Sequence, residues 1–225
     1  MHTDVRSWLY LLGFIPSFFF TLRFILQWLK SETKKQSYVF PSFWIISLIG
    51  NVLLMVHGII QLQYHVSVVQ GFNGVISWRN LQLMKKKEEA NSLSFVILLH
   101  ICVFFIVTLI FILQNFYLHE TYWFRVPITP WQSISKTVSF SWHFLGIIGI
   151  ALYSSRFWVQ WWIAEKKQQS SLEASFWLMS LLGGIISLIY FLAIGDLANA
   201  LGPAFGLVPY TRNLFLIKKA NAKQI

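Results

Sequence analysis

Charge is the scarcest commodity in this sequence. Asp, Glu, Lys and Arg make up only 12% of its 225 residues, against roughly a quarter in ordinary soluble domains. A soluble fold of this length would lack the polar surface to cover itself, so water is excluded as its principal solvent. Carboxylates are scarcer still, with eight Asp and Glu against eighteen Lys and Arg. The single cysteine, Cys102, sits in an apolar run, which rules out an internal disulfide. The six histidines show no metal-ligand spacing, and there is no Gly-rich phosphate loop, Ser-His-Asp set or paired-carboxylate motif. Catalysis of the soluble kind, a metal centre and a bound cofactor are therefore not expected. The net charge of +10 could suggest nucleic acid, but the lysines lie in short clusters between apolar runs. That is the pattern of cytoplasmic membrane loops, so nucleic acid is not an expected partner.

What the chain has instead is apolar length. Seven stretches run Trp8–Leu29, Phe43–Leu62, Val66–Met84, Leu93–Leu118, Val138–Ile163, Ser175–Ile194 and Leu197–Ile217. Each approaches the ~20 residues that cross a bilayer as a helix, and helices satisfy the backbone internally, as lipid demands. The first is followed by Lys30 rather than by a small-residue cleavage site, so it is expected to persist as a helix and not to be removed as a signal peptide. With seven spans, eleven lysines (Lys30, Lys34, Lys35, Lys85, Lys86, Lys87, Lys166, Lys167, Lys218, Lys219, Lys223) fall on one side and Arg6, Arg125 and Lys136 on the other. The positive-inside rule then predicts an outside N-terminus and a cytoplasmic C-terminus. Tyr122, Trp123 and Trp131, with Pro127 and Pro130, read as interfacial anchors of the outer loop. Gly and Pro interrupt the third and seventh stretches (Gly71, Gly74; Gly202, Pro203, Gly206, Pro209). This predicts either kinked or broken helices lining a cavity or a Gly-rich packing face.

The chain also contains itself twice. Leu12–Lys86 aligns with Leu145–Lys219 at a constant offset of 133 without a gap, and 25 of 75 positions are identical. Identities cluster at Arg23-Phe24, Gln27-Trp28 with Arg156-Phe157, Gln160-Trp161; at Ser42 to Gly50 with Ser175 to Gly183; and at Arg79-Asn80-Leu81 with Arg212-Asn213-Leu214. The organisation predicted is a first three-helix repeat (1–90), a linker helix and outer loop (91–137) and a second repeat (138–225). The unpaired fourth helix makes the repeats parallel, the 3+1+3 plan of SWEET and PQ-loop proteins.

Arg23, Arg79, Arg156 and Arg212 lie five to seven residues inside the cytoplasmic ends of their spans, about 7–10 Å deep. A charge deep in a bilayer costs at least ~2.5–3.5 kcal/mol. One explanation is that each arginine snorkels to the inner headgroups or pairs with a carboxylate, Glu32 for Arg23 and Glu165 for Arg156. The other is an anion site: Arg23 with Gln27 and Arg156 with Gln160 each share a helix face, and Arg79-Asn80 and Arg212-Asn213 reach the same depth. Guanidinium forks and amides suit a phosphate or phosphosugar. Trp44 and Trp177 are either belt residues or a surface on which a sugar stacks. Asp196, with Asn199, breaks the symmetry where the first repeat has Gln63 and Val66, and reads as an N-cap rather than an outer gate.

The run R-F-x-x-Q-W, S-E-x-x-K-x-S, F-W-x-x-S-L-x-G and R-N-L resembles the lipid-A-disaccharide synthase N-terminal domain family. It fits from Arg23 to Gly50 and Arg79 to Leu81, and again from Arg156 to Gly183 and Arg212 to Leu214, departing where Ala164 replaces Ser31 and Gln168 replaces Lys35. The resemblance implies work on lipid A or a related glycolipid at the bacterial inner membrane. It implies as partners membrane lipids, an anionic glycolipid or phosphosugar, and a soluble glycosyltransferase of lipid A synthesis. No catalytic half is visible in the sequence, so the chain is not expected to be that glycosyltransferase by itself.

Overall fold

The computed structural model describes residues 5–85, 90–118, 123, 129–131 and 139–222. Lys86, Lys87, Tyr122, Arg125, Pro127, Lys136 and Lys223 lie outside the described residues. Secondary structure among the described residues is helical throughout. A short helix α1 (Val5–Leu9) and a 3₁₀ turn (Tyr10–Gly13) lead directly into α2 (Phe14–Lys34). Then come α3 (Pro41–Ile60), α4 (Tyr64–Leu83), α5 (Leu93–Leu118), α6 (Phe140–Lys167), α7 (Ala174–Ile194) and α8 (Leu197–Asn221). The seven long helices fall on the seven apolar stretches. Among the described residues, four segments are long and apolar enough to cross a membrane: Val5–Lys34, Pro41–Ile60, Leu93–Tyr117 and Ala174–Ile194. Their outward faces carry large apolar groups such as Phe18, Val52, Phe105, Leu109 and Leu182. Such a surface suits lipid rather than water, and the chain associates with membranes.

Local rules explain where the helices stop. α2 ends at Lys35 and α6 at Gln168, both left-handed at φ 55° and 51°. These positions are repeat mates, and each closes a helix as a non-glycine C-cap. Pro41 sits in the first turn of α3, where its missing N–H costs nothing. Asp196 does cap α8, accepting from the Asn199 N–H at 3.2 Å.

Packing places α3 between α2 and α4, and α7 between α6 and α8. α2 also packs on α8, α4 on α6, and α5 lies against α4. The principal core sits where the two sets of three helices meet: Phe24, Phe43 and Trp44 interlock with Phe157, Phe176, Trp177 and Tyr210. A smaller cluster gathers Leu62, Val107 and Phe111, and Trp123 packs into it through Tyr64 and Phe111 at 5.2 and 5.9 Å. Trp131 likewise lies on Tyr10 at 5.4 Å. Both indoles therefore pack against the helical bundle.

α4 and α8 are unbroken, which corrects the broken-helix alternative. Gly71 and Gly74 do help line a cavity of about 290 Å³ with Leu48, Val52, Met55 and Val103, but this cavity is apolar and lies away from the arginines. Glycine matters most between α6 and α7. A Cβ on Gly183 would come within 2.5 Å of the Tyr153 backbone nitrogen, whereas a Cβ on its mate Gly50 would meet only the Phe20 ring at 2.7 Å. A ring can turn away, but a backbone cannot. Gly183→Ala is therefore expected to cost about 2–3 kcal/mol and Gly50→Ala about 1 kcal/mol or less, measured as unfolding of the detergent-solubilised protein; equal losses would refute the tight α6–α7 approach.

Candidate functional site

The residues singled out by the repeat converge on the interface between its two copies. They do so by exchange, each copy closing on the other. The Gln27 amide donates to Asn213 Oδ1 at 3.0 Å and accepts from Asn213 Nδ2 at 2.9 Å. Gln160 and Asn80 make the mate of this pair at 2.7 and 3.0 Å. Arg79 grips Glu165 with two bonds of 2.5 and 2.9 Å, and Arg212 grips Glu32 in the same fork. Trp28 and Trp161, one turn before these carboxylates, each donate an indole N–H to them. Trp44 Nε1 donates to Ser170 at 2.8 Å, and Trp177 Nε1 to Ser37 at 3.0 Å. Lys167 ties down the loop carrying Ser170 through Glu173 at 2.6 Å, and its ammonium holds that carboxyl below the usual range.

Two expectations are corrected by this geometry. Glu32 pairs with Arg212 rather than Arg23, and Glu165 with Arg79 rather than Arg156. Nine residues of α-helix turn the chain by a half-turn beyond whole turns and carry it about 13.5 Å, so Glu32 faces away from Arg23 on the same helix. Trp44 and Trp177 are not belt residues: both are fully buried.

Arg23 and Arg156 occupy the centre. They are 3% and 1% exposed, too deep in the bundle to snorkel. Both guanidiniums lie over the same two rings: Arg23 is 4.7 Å from Phe24 and 5.4 Å from Phe157, while Arg156 is 5.6 and 4.8 Å from them. Tyr153 lies 3.5 Å from Arg156. The hydrogen bonds are few: Arg23 donates to Ser47 Oγ at 2.7 Å and Arg156 to the Tyr210 hydroxyl at 3.4 Å. The Nε of each arginine has no partner. Among the described residues neither has a carboxylate within ion-pair distance. The centre is thus two buried positive charges in an aromatic cage, with no negative charge opposite them among the described residues.

Sequence reasoning did not identify Ser47, Tyr153, Tyr210, Ser37 or Ser170 as members of the site. Ser37 and Ser170 were signalled by their identity across the repeat. Tyr153 and Tyr210 carried no such signal, because their mates are Phe20 and Ser77.

The two ion pairs differ in depth. The side chains of Arg79 and Glu165 are 4% and 12% exposed; those of Arg212 and Glu32 are 48% and 27%. Removing one partner of a buried pair strands the other. Glu165→Gln is expected to destabilise by about 3 kcal/mol, whereas Glu32→Gln, in the solvated pair, changes little. Paired unfolding measurements on the two variants check the difference.

Comparison with known proteins agrees with the repeat. The Lipid A Biosynthesis N-terminal domain family matches residues 12–82 and again 145–215. Lipid-A-disaccharide synthase of Chlamydia felis (strain Fe/C-56) is 36% identical over 217 residues, 94% of this chain and 33% of the relative. The Chlamydia pneumoniae protein of the same name is 38% identical over 212 residues, 94% of this chain and 34% of the relative. That of Chlamydia trachomatis serovar D is 38% identical over 210 residues, 93% and 34%. The chain therefore spans about a third of the length of the curated relatives it matches. No solved structure matches it. Two matches to one family, in the register of the internal repeat, establish that the chain belongs to the Lipid A Biosynthesis N-terminal domain family.

Proposed function

We propose that this chain is a bacterial inner-membrane module of lipid A synthesis that binds an anionic sugar, either a phosphosugar or a phosphorylated, sugar-bearing lipid, between two parallel three-helix repeats. The repeats are residues 1–90 and 138–225, joined by residues 91–137 in a 3+1+3 plan. The N-terminus lies outside and the C-terminus in the cytoplasm. One observation carries the reading: among the described residues the Arg23–Arg156 centre has no counter-charge. Burying a cation without a partner costs several kcal/mol, and cation–π contact returns only about 2 kcal/mol per desolvated guanidinium. A phosphate between the two guanidiniums would satisfy both and would use their unpartnered Nε groups. Phe24 and Phe157 close the centre, so an anion enters only when the two copies part, and the exchanged Gln–Asn and Arg–Glu pairs set the resistance to parting. Alternation between closed and parted forms would serve a carrier or flippase.

The reading predicts opposite signs for stability and binding. Arg23→Met and Arg156→Met replace a stranded charge with an apolar group of similar length, so each raises the melting temperature of the ligand-free protein by about 2–4 °C. Each also weakens binding of a phosphorylated acyl-glucosamine at least about tenfold, with the dephosphorylated compound as control, by native mass spectrometry in detergent. Unchanged phosphate-dependent binding in both variants would remove the arginines from the function.

A second reading is a non-transporting module that anchors or feeds the disaccharide synthase. It is favoured by the length relation, since the chain matches a third of relatives bearing that name. Co-purification with the enzyme, unaffected by Arg23→Met, would support it. Disaccharide formation by the purified chain alone would instead make it an enzyme.

A further inference from the structure

The end of the bundle opposite the lysine-rich loops holds a second polar cluster that the anion reading does not use. Asp196, between α7 and α8, is 1% exposed. Its carboxylate accepts from the Tyr10 hydroxyl at 2.7 Å, from Asn199 Nδ2 at 2.8 Å and from the Asn199 N–H at 3.2 Å. Gln63, its repeat mate, also faces it. No cation lies within ion-pair distance of it among the described residues. Tyr10 is itself fully buried, and its oxygen accepts the Ala198 N–H at 2.9 Å.

His57 of α3 packs edge-on against the Tyr10 ring, with ring centroids 5.7 Å apart. It is 2% exposed, and neither ring nitrogen has a hydrogen-bond partner. Its Nε2 is aimed at the seam between α2 and α8: a Cβ placed on Gly13 would meet that nitrogen at 2.6 Å and the Ala198 Cβ at 3.1 Å. A buried imidazole with two idle nitrogens and a buried carboxylate with no cation thus flank one tyrosine. Three His, Cys, Asp or Glu side chains suited to a metal ion are not found together among the described residues. A carboxylate and an imidazole are each groups that bind a proton.

We propose that Asp196 and His57, with Tyr10 between them, form a proton-binding site at this end of the bundle. A single proton takes the cluster from net negative to neutral and removes the desolvation cost of the buried anion. The remaining titratable groups facing it are Tyr10 and Tyr190, the latter from α7; Arg6 in α1 and His65 in α4 belong to the same end. Trp131 packs on Tyr10 at 5.4 Å and is itself 48% exposed. The site exists once, because the repeat breaks here: Gln63 stands where the second copy has Asp196, and Tyr190 where the first has His57. Protonation also acts on a seam that reaches the arginines. Tyr10–Asp196 and Ser17–Ala198 (2.6 Å) fasten one end of the α2–α8 contact, and Gln27–Asn213 the other. About 24 Å of helix separates Asp196 from Arg212.

The test needs no sugar ligand and is independent of the anion reading. Full-length protein in lipid nanodiscs is titrated while the protonated-carboxyl C=O stretch is followed by infrared difference spectroscopy. The wild type is expected to show a titrating carboxyl band that Asp196→Asn abolishes. Tyr10→Phe removes a donor to the anion and moves the midpoint up by about one pH unit. His57→Gln moves it by about half a unit or more. A band that survives in a folded Asp196→Asn variant overturns the proposal. If that variant does not fold, the other two decide it on the native carboxyl: a midpoint unmoved by Tyr10→Phe, or one that ignores His57→Gln, overturns the pair.

Discussion

The interaction on which the rest of this structure depends is an exchange of partners between two copies of one sequence. The Arg-Asn dipeptide in each copy's third helix finds its partners, Gln and Glu, on the first helix of the other copy. One copy alone would leave four polar side chains on an apolar face with nothing to bind. In an apolar medium that is expensive, and a helix cannot shed the problem into water. The exchange explains the duplication physically: the groups are satisfied only when two copies meet. It also explains why the aromatic core lies at the junction, since Phe24, Trp44, Phe157 and Trp177 fill the space the polar pairs enclose.

Within that frame the satisfied and the unsatisfied groups divide cleanly. The amides and the outer arginines are spoken for. Arg23 and Arg156 are not, and they share their aromatic walls. A protein whose stability alone mattered would carry apolar residues there. Keeping two charges at such a position gives up stability, and the proposed anion site rests on that cost. The opposite end of the bundle follows another rule. There the copies have diverged, and a carboxylate and an imidazole replace an amide and a phenol. Likeness between the copies marks the centre, and difference marks the far end.

Much of the fold was legible in the residues. Apolar length located all seven long helices, because lipid tolerates few alternatives. The constant offset of 133 pointed to paired elements, and the identical Arg, Gln, Asn and Glu residues all came to the interface. Partner identity was not legible. Glu32 follows Arg23 by nine residues, and proximity along the chain suggested a pair; helix periodicity turns them apart, and the fold brings Arg212 to Glu32 from 180 residues away. Trp44 and Trp177 stood near helix ends, where indoles commonly anchor to the interface, yet a serine from the other copy's loop draws each one inside. His57, a lone histidine in an apolar run, carried no signal at all.

The order of residues is enough to make the chain helical, to give it a surface that suits lipid and to divide it into two related halves, because composition and periodicity act locally and need no knowledge of neighbours. It also determined which residues both halves share. Only the tertiary structure decided which charges would be paired and which left bare. Pairing depends on distances between helices far apart in the chain, and those distances are set by how glycines, aromatic rings and exchanged hydrogen bonds bring the two copies together.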